Sequence, residues 1–265
     1  MPAELVIYVL AIVIGIFFGL LGGSGSLLTL PILVYVANLS PTIATTYSLF
    51  TVGVTSLVGL WSYYRRGLVH LPSAIPFALP SFIGVFTVRK FLYPILPDYL
   101  VSIGNFSLYK PTAIMLLFNI LMFLAAISMV ISTKNDEWLQ KNKLYRYRVW
   151  FGGLMVGVLT SLVGAGGSFL IIPALVFLVR VPMKLAIGTS LLIVCLNSFI
   201  GFSSDWWNGT PIDWYFLGLF SSMSAIGIFV GVYLNNTFSG VRLRKVFGYV
   251  LVCMSFAILM KEVLF

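Results

Sequence analysis

Residues 22–31 read GGSGSLLTLP, and residues 164–173 read GAGGSFLIIP. Each stretch places a run of glycine and serine inside a long apolar region, and a proline follows five residues after the shared serine. The two stretches lie 142 residues apart. With this offset, residues 15–67 align with residues 157–209 without a gap, and 17 of the 53 positions are identical. The chain therefore contains two copies of one unit.

The composition places both copies in a membrane. Of the 265 residues, 60% are hydrophobic and 9% are charged, and the mean hydropathy is +1.06. Soluble domains carry about 25% charged residues, so a water-soluble fold is excluded. The apolar runs supply about eight segments, each near the roughly 20 residues that a crossing helix needs. Because these runs are too long for barrel strands, we predict an all-α polytopic membrane protein.

One polar stretch divides the chain. The residues from Lys134 to Arg148 form the longest charged segment, and they fall between the two copies. We therefore predict a first transmembrane repeat over residues 1–133, a linker over residues 134–148 and a second transmembrane repeat over residues 149–265.

Loop charges favour one topology. If both glycine-broken segments crossed the membrane once, the 16 basic residues would divide equally between the two sides. If each broken segment turns back to the side where it began, 12 basic residues lie on one side. The second arrangement obeys the positive-inside rule. It predicts inverted repeats that each open with a re-entrant helix pair, a cytoplasmic linker, and both termini outside a bacterial-type inner membrane.

The glycine runs predict an anion site. A break in a helix leaves free backbone N–H groups at the start of the next helix, where the helix dipole also favours negative charge. Serine hydroxyls add donors, and glycines let a ligand approach the backbone. The predicted substrate-binding residues here are Gly22, Gly23, Ser24, Gly25, Ser26, Gly164, Gly166, Gly167 and Ser168. Pro31 and Pro173 are predicted to kink the following helices. The alternative is that the glycines only let helices pack closely.

The segments after the breaks carry further polar residues in apolar surroundings. We predict that five of them contribute to substrate binding: Thr46, Ser48, Thr189, Ser190 and Asn197. Serine and threonine hydroxyls can also bond to their own helix backbone, which is the structural alternative. Asn197 is less easily satisfied in that way, so it is the better candidate for facing a cavity.

Several other features limit the function. Every Asp and Glu, including Asp205, falls near a segment end or in a loop, so no deep carboxylate is available for a proton relay. His70 and Arg180 lie near segment ends and are interpreted as interfacial. Cys195 and Cys253 are interpreted as small buried hydrophobic residues, without a disulfide or a metal. Because the basic residues are scattered among loops, the net charge of +9 is read as a topology signal and no nucleic-acid partner is predicted. We expect no cofactor and no enzymatic activity, because no phosphate-binding loop or catalytic set is present.

The residues that carry these patterns resemble a known family. The runs Gly22-Gly23-Ser24-Gly25-Ser26 and Gly164-Ala165-Gly166-Gly167-Ser168, together with Ala186-Ile187-Gly188-Thr189-Ser190, are similar to the duplicated motifs of the TauE/SafE sulfite exporter family, also called the toluene sulfonate uptake permease family. The resemblance covers nearly the whole chain. It implies a permease for sulfite, sulfonates or related anions. Ser24 and Ser168 depart from the commoner glycine triplet, which leaves the exact anion open.

Three functional hypotheses follow. The first is a small-anion permease that binds its substrate at paired helix N-termini near the membrane midplane, driven by the membrane potential or by an ion. The second is an anion channel of the same architecture, and the third is an intramembrane enzyme or assembly factor. The lipid bilayer and a small anion are the partners that the sequence implies, and the oligomeric state is left open.

Overall fold

The computed structural model describes residues 2–22, 26–92, 95, 99–103, 106–131, 143–163 and 168–264. The first half contains α1 (Pro2–Leu21), α2 (Ser26–Tyr35), α3 (Pro41–Arg65), α4 (Leu71–Thr87) with a π-helical extension (Val88–Leu92), a hairpin of β1 (Tyr99–Ile103) and β2 (Phe106–Tyr109), and α5 (Lys110–Ile131). The second half contains α6 (Lys143–Val163), α7 (Ser168–Phe177), α8 (Met183–Trp207), α9 (Trp214–Asn235) and α10 (Gly240–Leu264).

The prediction of a helical membrane protein agrees with these elements except at the hairpin. Strands β1 and β2 pair antiparallel, with Ile103 opposite Phe106. Their sequences are rich in Tyr, Val, Ile and Phe, which favour strands, and the dipeptide Gly104-Asn105 between them is typical of a turn. The prediction of an all-α fold placed no apolar segment on residues 99–109 and did not use this local preference.

Five helical spans are long and apolar enough to cross a membrane: Pro41–Arg65, Leu71–Leu92, Met183–Trp207, Trp214–Asn235 and Gly240–Met260. Three further apolar stretches within the described helices are shorter: Leu5–Leu21, Thr112–Ile127 and Val149–Leu162. Large apolar side chains also cover the surface, including Leu5, Leu79 and Phe256. An exposed apolar surface of this kind is stable in lipid and unstable in water.

The two halves pack against each other in matching pairs. Helix α1 packs on α9, and its equivalent α6 packs on α4, which is the equivalent of α9. Helix α3 packs on its own equivalent, α8, and α5 packs on α10. The pattern of contacts is therefore unchanged when the two halves are exchanged.

Side-chain contacts give the direction of each helix. The ring of Phe216, at the start of α9, lies 6.4 Å from that of Tyr8 and 6.1 Å from that of Tyr47, near the starts of α1 and α3. At the other end, the Tyr63 hydroxyl donates to the Gly19 carbonyl oxygen at 2.7 Å, and Asn235 Nδ2 donates to the Leu20 carbonyl oxygen at 2.6 Å. Helices α1, α3 and α9 therefore run in the same direction, and the chain from α1 through α2 must return before α3 begins.

Helix α8 runs the opposite way. Its end contacts the start of α3 through Asp205 and Thr46, and its start contacts the end of α3, where Gly188 packs on Tyr63. Helix α4 runs beside α8 in the same direction, since Ser81 contacts Asn197 and Arg89 contacts Asp205. We call the region around the starts of α1, α3 and α9 the Asp205 end, and the region around their last turns the Tyr63 end.

Close helix crossings depend on matching glycines. A β-carbon at Gly15 in α1 would collide with the Ser224 carbonyl group in α9. A β-carbon at Gly157 in α6, 142 residues later, would collide with the Ser81 carbonyl group in α4. Small residues allow helix backbones to approach closely in membranes, so at these crossings the glycines serve packing.

Equivalent turns also share their backbone conformation. Asn38 after α2 and Arg180 after α7 both have a φ of +54°. Gly67 after α3 and Gly209 after α8 have φ values of +66° and +82°. These pairs are each separated by 142 residues, as the sequence alignment requires. His70 and Arg180 both lie in connections between helices, where the sequence placed them.

The two cysteines differ in burial. Cys195 lies buried in the middle of α8, as predicted, whereas Cys253 is exposed on α10. The interpretation of both as buried residues was therefore wrong for Cys253. Helix α10 is apolar on its outer face as well as its inner face, so the sequence gives no signal of which side is buried.

Candidate functional site

The structure places helix ends at both predicted breaks. Helix α1 ends at Leu21 and α2 begins at Ser26, while α6 ends at Val163 and α7 begins at Ser168. Pro31 and Pro173 lie inside α2 and α7 and are buried. Six of the predicted binding residues lie outside the described residues: Gly23, Ser24, Gly25, Gly164, Gly166 and Gly167.

Gly22 joins the first break to α8. Its φ of +71° is a conformation that favours glycine, and a β-carbon there would lie 3.0 Å from Ile187 Cγ2. Ile187 is eight residues before Cys195, the central residue of α8, which corresponds to about 12 Å along the helix axis. Gly22 therefore lies towards the Tyr63 end, away from the middle of α8, where the sequence had suggested a midplane site.

Thr189 and Ser190 follow Ile187 and are fully buried. The Thr189 hydroxyl accepts a hydrogen bond from the backbone N–H of His70 at 2.9 Å, and the Ser190 hydroxyl donates to the Ile187 carbonyl oxygen at 2.8 Å. Loss of hydration lowers the pKa of His70. The structure thus places Gly22 against Ile187, whose carbonyl oxygen accepts from Ser190, and it gives Thr189 a partner in the connection before α4.

Asn197 lies near the middle of α8. Its Nδ2 donates to the Ser81 hydroxyl at 2.6 Å, and among the described residues its buried Oδ1 has no hydrogen-bond partner. The same holds for the buried hydroxyls of Ser48, Ser56 and Ser198 within the described part of the chain. A buried polar atom without a partner is costly, so these positions in α3 and α8 have capacity to bind a polar ligand.

Thr46 belongs to a buried charged cluster at the Asp205 end. Asp205 Oδ2 accepts a hydrogen bond from the Thr46 hydroxyl at 2.9 Å and lies 2.8 Å from Arg89 Nη1. The Arg89 side chain has no exposed surface, and that of Asp205 is only 4% exposed. The cluster joins α3, α8 and the π-helical extension of α4. An ion pair with so little exposed surface compensates two charges whose burial alone would be very unfavourable.

A cavity of about 430 Å³ lies between α4 and α8, close to this cluster, although neither Arg89 nor Asp205 lines it. Its wall includes Lys90, Ser204 and Asn208, which neighbour Arg89 and Asp205 along the chain, together with apolar residues such as Phe86 and Phe199. Asn208 Nδ2 donates weakly to the Arg89 carbonyl oxygen at 3.5 Å. A positive charge and polar groups therefore line a space beside the buried ion pair.

The family is decided by sequence comparison. A model of the family described as Sulfite exporter TauE/SafE matches residues 7–258. The chain belongs to the TauE/SafE family. This match spans the helices of both halves, so the TauE/SafE assignment applies to the whole transmembrane unit.

Curated relatives agree with the TauE/SafE assignment. A "Probable membrane transporter protein" of Xylella fastidiosa (strain 9a5c) is 29% identical over 255 residues, which cover 94% of this chain and 92% of that relative. A protein of the same name from Xylella fastidiosa (strain Temecula1 / ATCC 700964) is 33% identical, covering 68% of this chain and 66% of the relative. "Probable membrane transporter protein YunE" of Bacillus subtilis (strain 168) is 24% identical, covering 80% and 81%. No solved structure matches significantly.

This TauE/SafE protein is therefore a multi-pass membrane transporter, as the sequence predicted at that level. Sequence reasoning missed Arg89 and Asp205 as part of a site, because each lies near the end of an apolar segment and was read from its position alone. The available signal was that Arg89 and Asp205 carry opposite charges at the ends of apolar segments. A buried ionisable residue in a membrane span is a functional candidate by default.

Proposed function

We propose that this TauE/SafE protein is a permease for small sulfur-containing anions, such as sulfite or sulfonates. The observation that carries the proposal is the duplicated start of a short helix, at Ser26 and Ser168, directly after each glycine-rich break. The first backbone N–H groups of a helix have no partner within the helix and favour an anion. Helices α2 and α7, one from each half, also contact each other.

Positive charge within the protein supports an anionic substrate. Arg244, in the second turn of α10, is only 9% exposed, and its buried Nε has no hydrogen-bond partner among the described residues. Gly240, one turn earlier, packs on Met183 at the start of α8, so Arg244 belongs to the Tyr63 end. A buried guanidinium is stabilised by an anionic partner, which a substrate of this class would provide.

The architecture that we propose is a pair of inverted repeats. The opposite directions of the equivalent helices α3 and α8 support it, and so does the return of the chain between α1 and α3. On this basis residues 1–133 and 149–265 form the two transmembrane repeats, with eight apolar segments in all, and residues 134–148 form a cytoplasmic linker. The loop charges support an inner-membrane orientation with both termini outside.

The test is stabilisation of the purified protein by a panel of anions. Sulfite, methanesulfonate, a larger sulfonate and chloride are compared at equal ionic strength, with the midpoint of thermal unfolding as the readout. An anion at about 100 times its dissociation constant adds about 2.7 kcal/mol of stability. We expect sulfite or a sulfonate to stabilise the protein more than chloride does.

A matched pair of variants locates the site. Gly167→Val should remove the stabilisation, since a branched side chain would cover the N–H groups at the start of α7. Gly218→Val is the control, because a β-carbon at Gly218 would meet no atom within 4 Å. If no sulfur-containing anion exceeds chloride, the proposed substrate class is wrong.

The channel alternative is separated by flux. In proteoliposomes a permease gives saturable uptake and counterflow, in which unlabelled anion on one side accelerates labelled anion from the other. Side chains buried at both ends of the helix assembly, Arg89 with Asp205 and Tyr63, favour a closed permease over an open pore. Flux that rises linearly with concentration and shows no counterflow would instead establish the channel.

A further inference from the structure

The fold itself does not require the buried ion pair. Asp205 corresponds to Tyr63 after the 142-residue offset, and Thr46 corresponds to Gly188. At the Tyr63 end, the equivalent residue carries no charge: Tyr63 packs on Gly188 of α8, and its hydroxyl donates a neutral hydrogen bond to the Gly19 carbonyl oxygen of α1. Replacing a buried ion pair by neutral groups is often without cost in stability, so the retained pair at the Asp205 end suggests a functional role.

Arg89 occupies an unusual backbone segment. It lies in the π-helical extension Val88–Leu92 that continues α4. Short π-helical segments are rare and occur frequently at functional sites, because they change the direction of side chains relative to a regular helix. Here the segment presents a guanidinium to α8, beside the cavity whose wall includes Lys90, Ser204 and Asn208.

The partner of Arg89 resembles the proposed substrate in its chemistry. A carboxylate, a sulfonate and a sulfite ion each offer negatively charged oxygens to a guanidinium, which binds such groups through charge-assisted hydrogen bonds. Asp205 lies two residues before the end of α8, and its neighbours Trp206 and Trp207 are exposed. A carboxylate released from Arg89 would therefore be close to the aqueous end of the helix.

We propose that Arg89 is a binding group for the transported anion, and that Asp205 occupies it when no anion is bound. The anion displaces Asp205 from Arg89, so the positive charge stays compensated while the contact between α8 and the extension of α4 is released. Binding of the anion thereby opens the Asp205 end. This inference rests on the proposed transport of sulfur-containing anions.

The test measures anion affinity in three variants of the full-length purified protein, with sulfite and methanesulfonate as probes. Asp205→Asn removes the competing charge, so it should bind the anion at least about tenfold more tightly than the wild type, as expected for loss of a charged hydrogen bond. Arg89→Gln should no longer bind the anion detectably, because it lacks the guanidinium. Asp213→Asn is the charge-matched control: Asp213 is exposed at the same end and caps α9, and asparagine is also a good cap, so its affinity should equal that of the wild type.

A fourth variant protects the test against poor folding of Asp205→Asn. Thr46→Val removes the hydrogen bond that holds Asp205 and should tighten anion binding about threefold, in proportion to one neutral hydrogen bond. Weaker binding in Asp205→Asn or Thr46→Val would overturn the inference, as would an Arg89→Gln protein that binds like the wild type. After any of these outcomes, anion binding by the wild-type protein would still support the proposed function. Absence of binding in wild type and in every variant would overturn both.

Discussion

The Asp205 end and the Tyr63 end have the same architecture and different chemistry. In both, a fully or nearly buried side chain in the last turn of a long helix lies against a helix of the other half: Asp205 contacts Thr46 of α3, and Tyr63 packs on Gly188 of α8. Asp205 also forms an ion pair with Arg89, whereas Tyr63 donates one neutral hydrogen bond to the Gly19 carbonyl oxygen of α1, in its own half. Because the two positions are equivalent by repeat, the difference between them cannot be a requirement of the helix packing.

Other equivalent contacts show what the packing does require. The backbone N–H of His70, before α4, bonds to the Thr189 hydroxyl, and the backbone N–H of Asp213, before α9, bonds to the Tyr47 hydroxyl. Thr189 and Tyr47 are separated by 142 residues. A contact that both halves keep through different side chains serves the architecture. The presence of a hydroxyl at Thr189 is therefore explained by helix packing at least as well as by substrate binding.

The first prediction concerns the location of the two ends relative to the membrane. In a background without Cys195 and Cys253, Pro211→Cys at the Asp205 end should react with a membrane-impermeant maleimide added to intact cells. Thr237→Cys, which follows α9 at the Tyr63 end, should react only after the membrane is permeabilised. The expected contrast is all or none, because a charged reagent does not cross the lipid core.

A cysteine in the linker at residues 134–148 should be protected in the same way as Thr237→Cys. Pro211 and Thr237 are both exposed and both lie in connections between helices. Access of the reagent to either position is therefore limited only by the membrane. Labelling of both ends from outside would contradict the proposed inverted repeats. Reversed labelling would contradict only the proposed orientation.

The second prediction tests whether the two halves share their packing. Gly15→Leu and Gly157→Leu place side chains at equivalent crossings, where even a β-carbon would collide with the carbonyl groups of Ser224 and Ser81. Overpacking typically costs about 1–3 kcal/mol and more when backbone must move, so we expect little folded protein from either variant. Size-exclusion chromatography in detergent provides the measurement.

The matched control for these substitutions is Gly218→Leu in α9, where an added side chain enters open space. This variant should behave as the wild type. If Gly15→Leu is severely impaired and Gly157→Leu is not, the two crossings are unequal, and the symmetry of the contact pattern does not extend to its energetics.

The sequence predicted much of the fold because the two copies share glycines, which control the conformation and the close approach of the backbone. Glycines at 15 and 157 and at 67 and 209 recur where the structure needs close crossings or positive φ angles. Apolar composition identified the membrane spans. The strand preference of residues 99–109 was present in the sequence but was not used. The exposed side of α10 that carries Cys253 could not be identified, because uniform hydrophobicity contains no periodic signal.

The site was less accessible from sequence because it depends on contacts between distant segments. Thr46 was selected as a polar residue in an apolar segment, and the structure gives it a partner 159 residues away, Asp205. Asp205 was set aside because it lies near a segment end, and Arg89 was counted only as a loop charge, yet the helices around them bury both side chains. The role of the other predicted binding residues stays a prediction.

The last prediction compares the stability of the two ends directly. Asp205→Ala leaves Arg89 buried without its charged partner and should cost about 3–5 kcal/mol in the free energy of unfolding. Tyr63→Phe removes one neutral hydrogen bond and should cost about 1 kcal/mol. Thermal or denaturant unfolding in one detergent measures both variants under the same conditions.

A double variant shows whether the difference in stability between the two ends reflects folding or transport. In Arg89→Met/Asp205→Leu, both charges are replaced by apolar groups, and stability should return close to that of the wild type because no buried charge is left uncompensated. Anion transport should nevertheless be lost, since the double variant lacks the guanidinium. A double variant as unstable as Asp205→Ala would show that the ion pair is a structural element, and the contrast between the two ends would then concern folding instead of transport. Recovery of stability without recovery of transport would assign the charges to function, and the neutral Tyr63 contact would represent what the fold alone requires at this position.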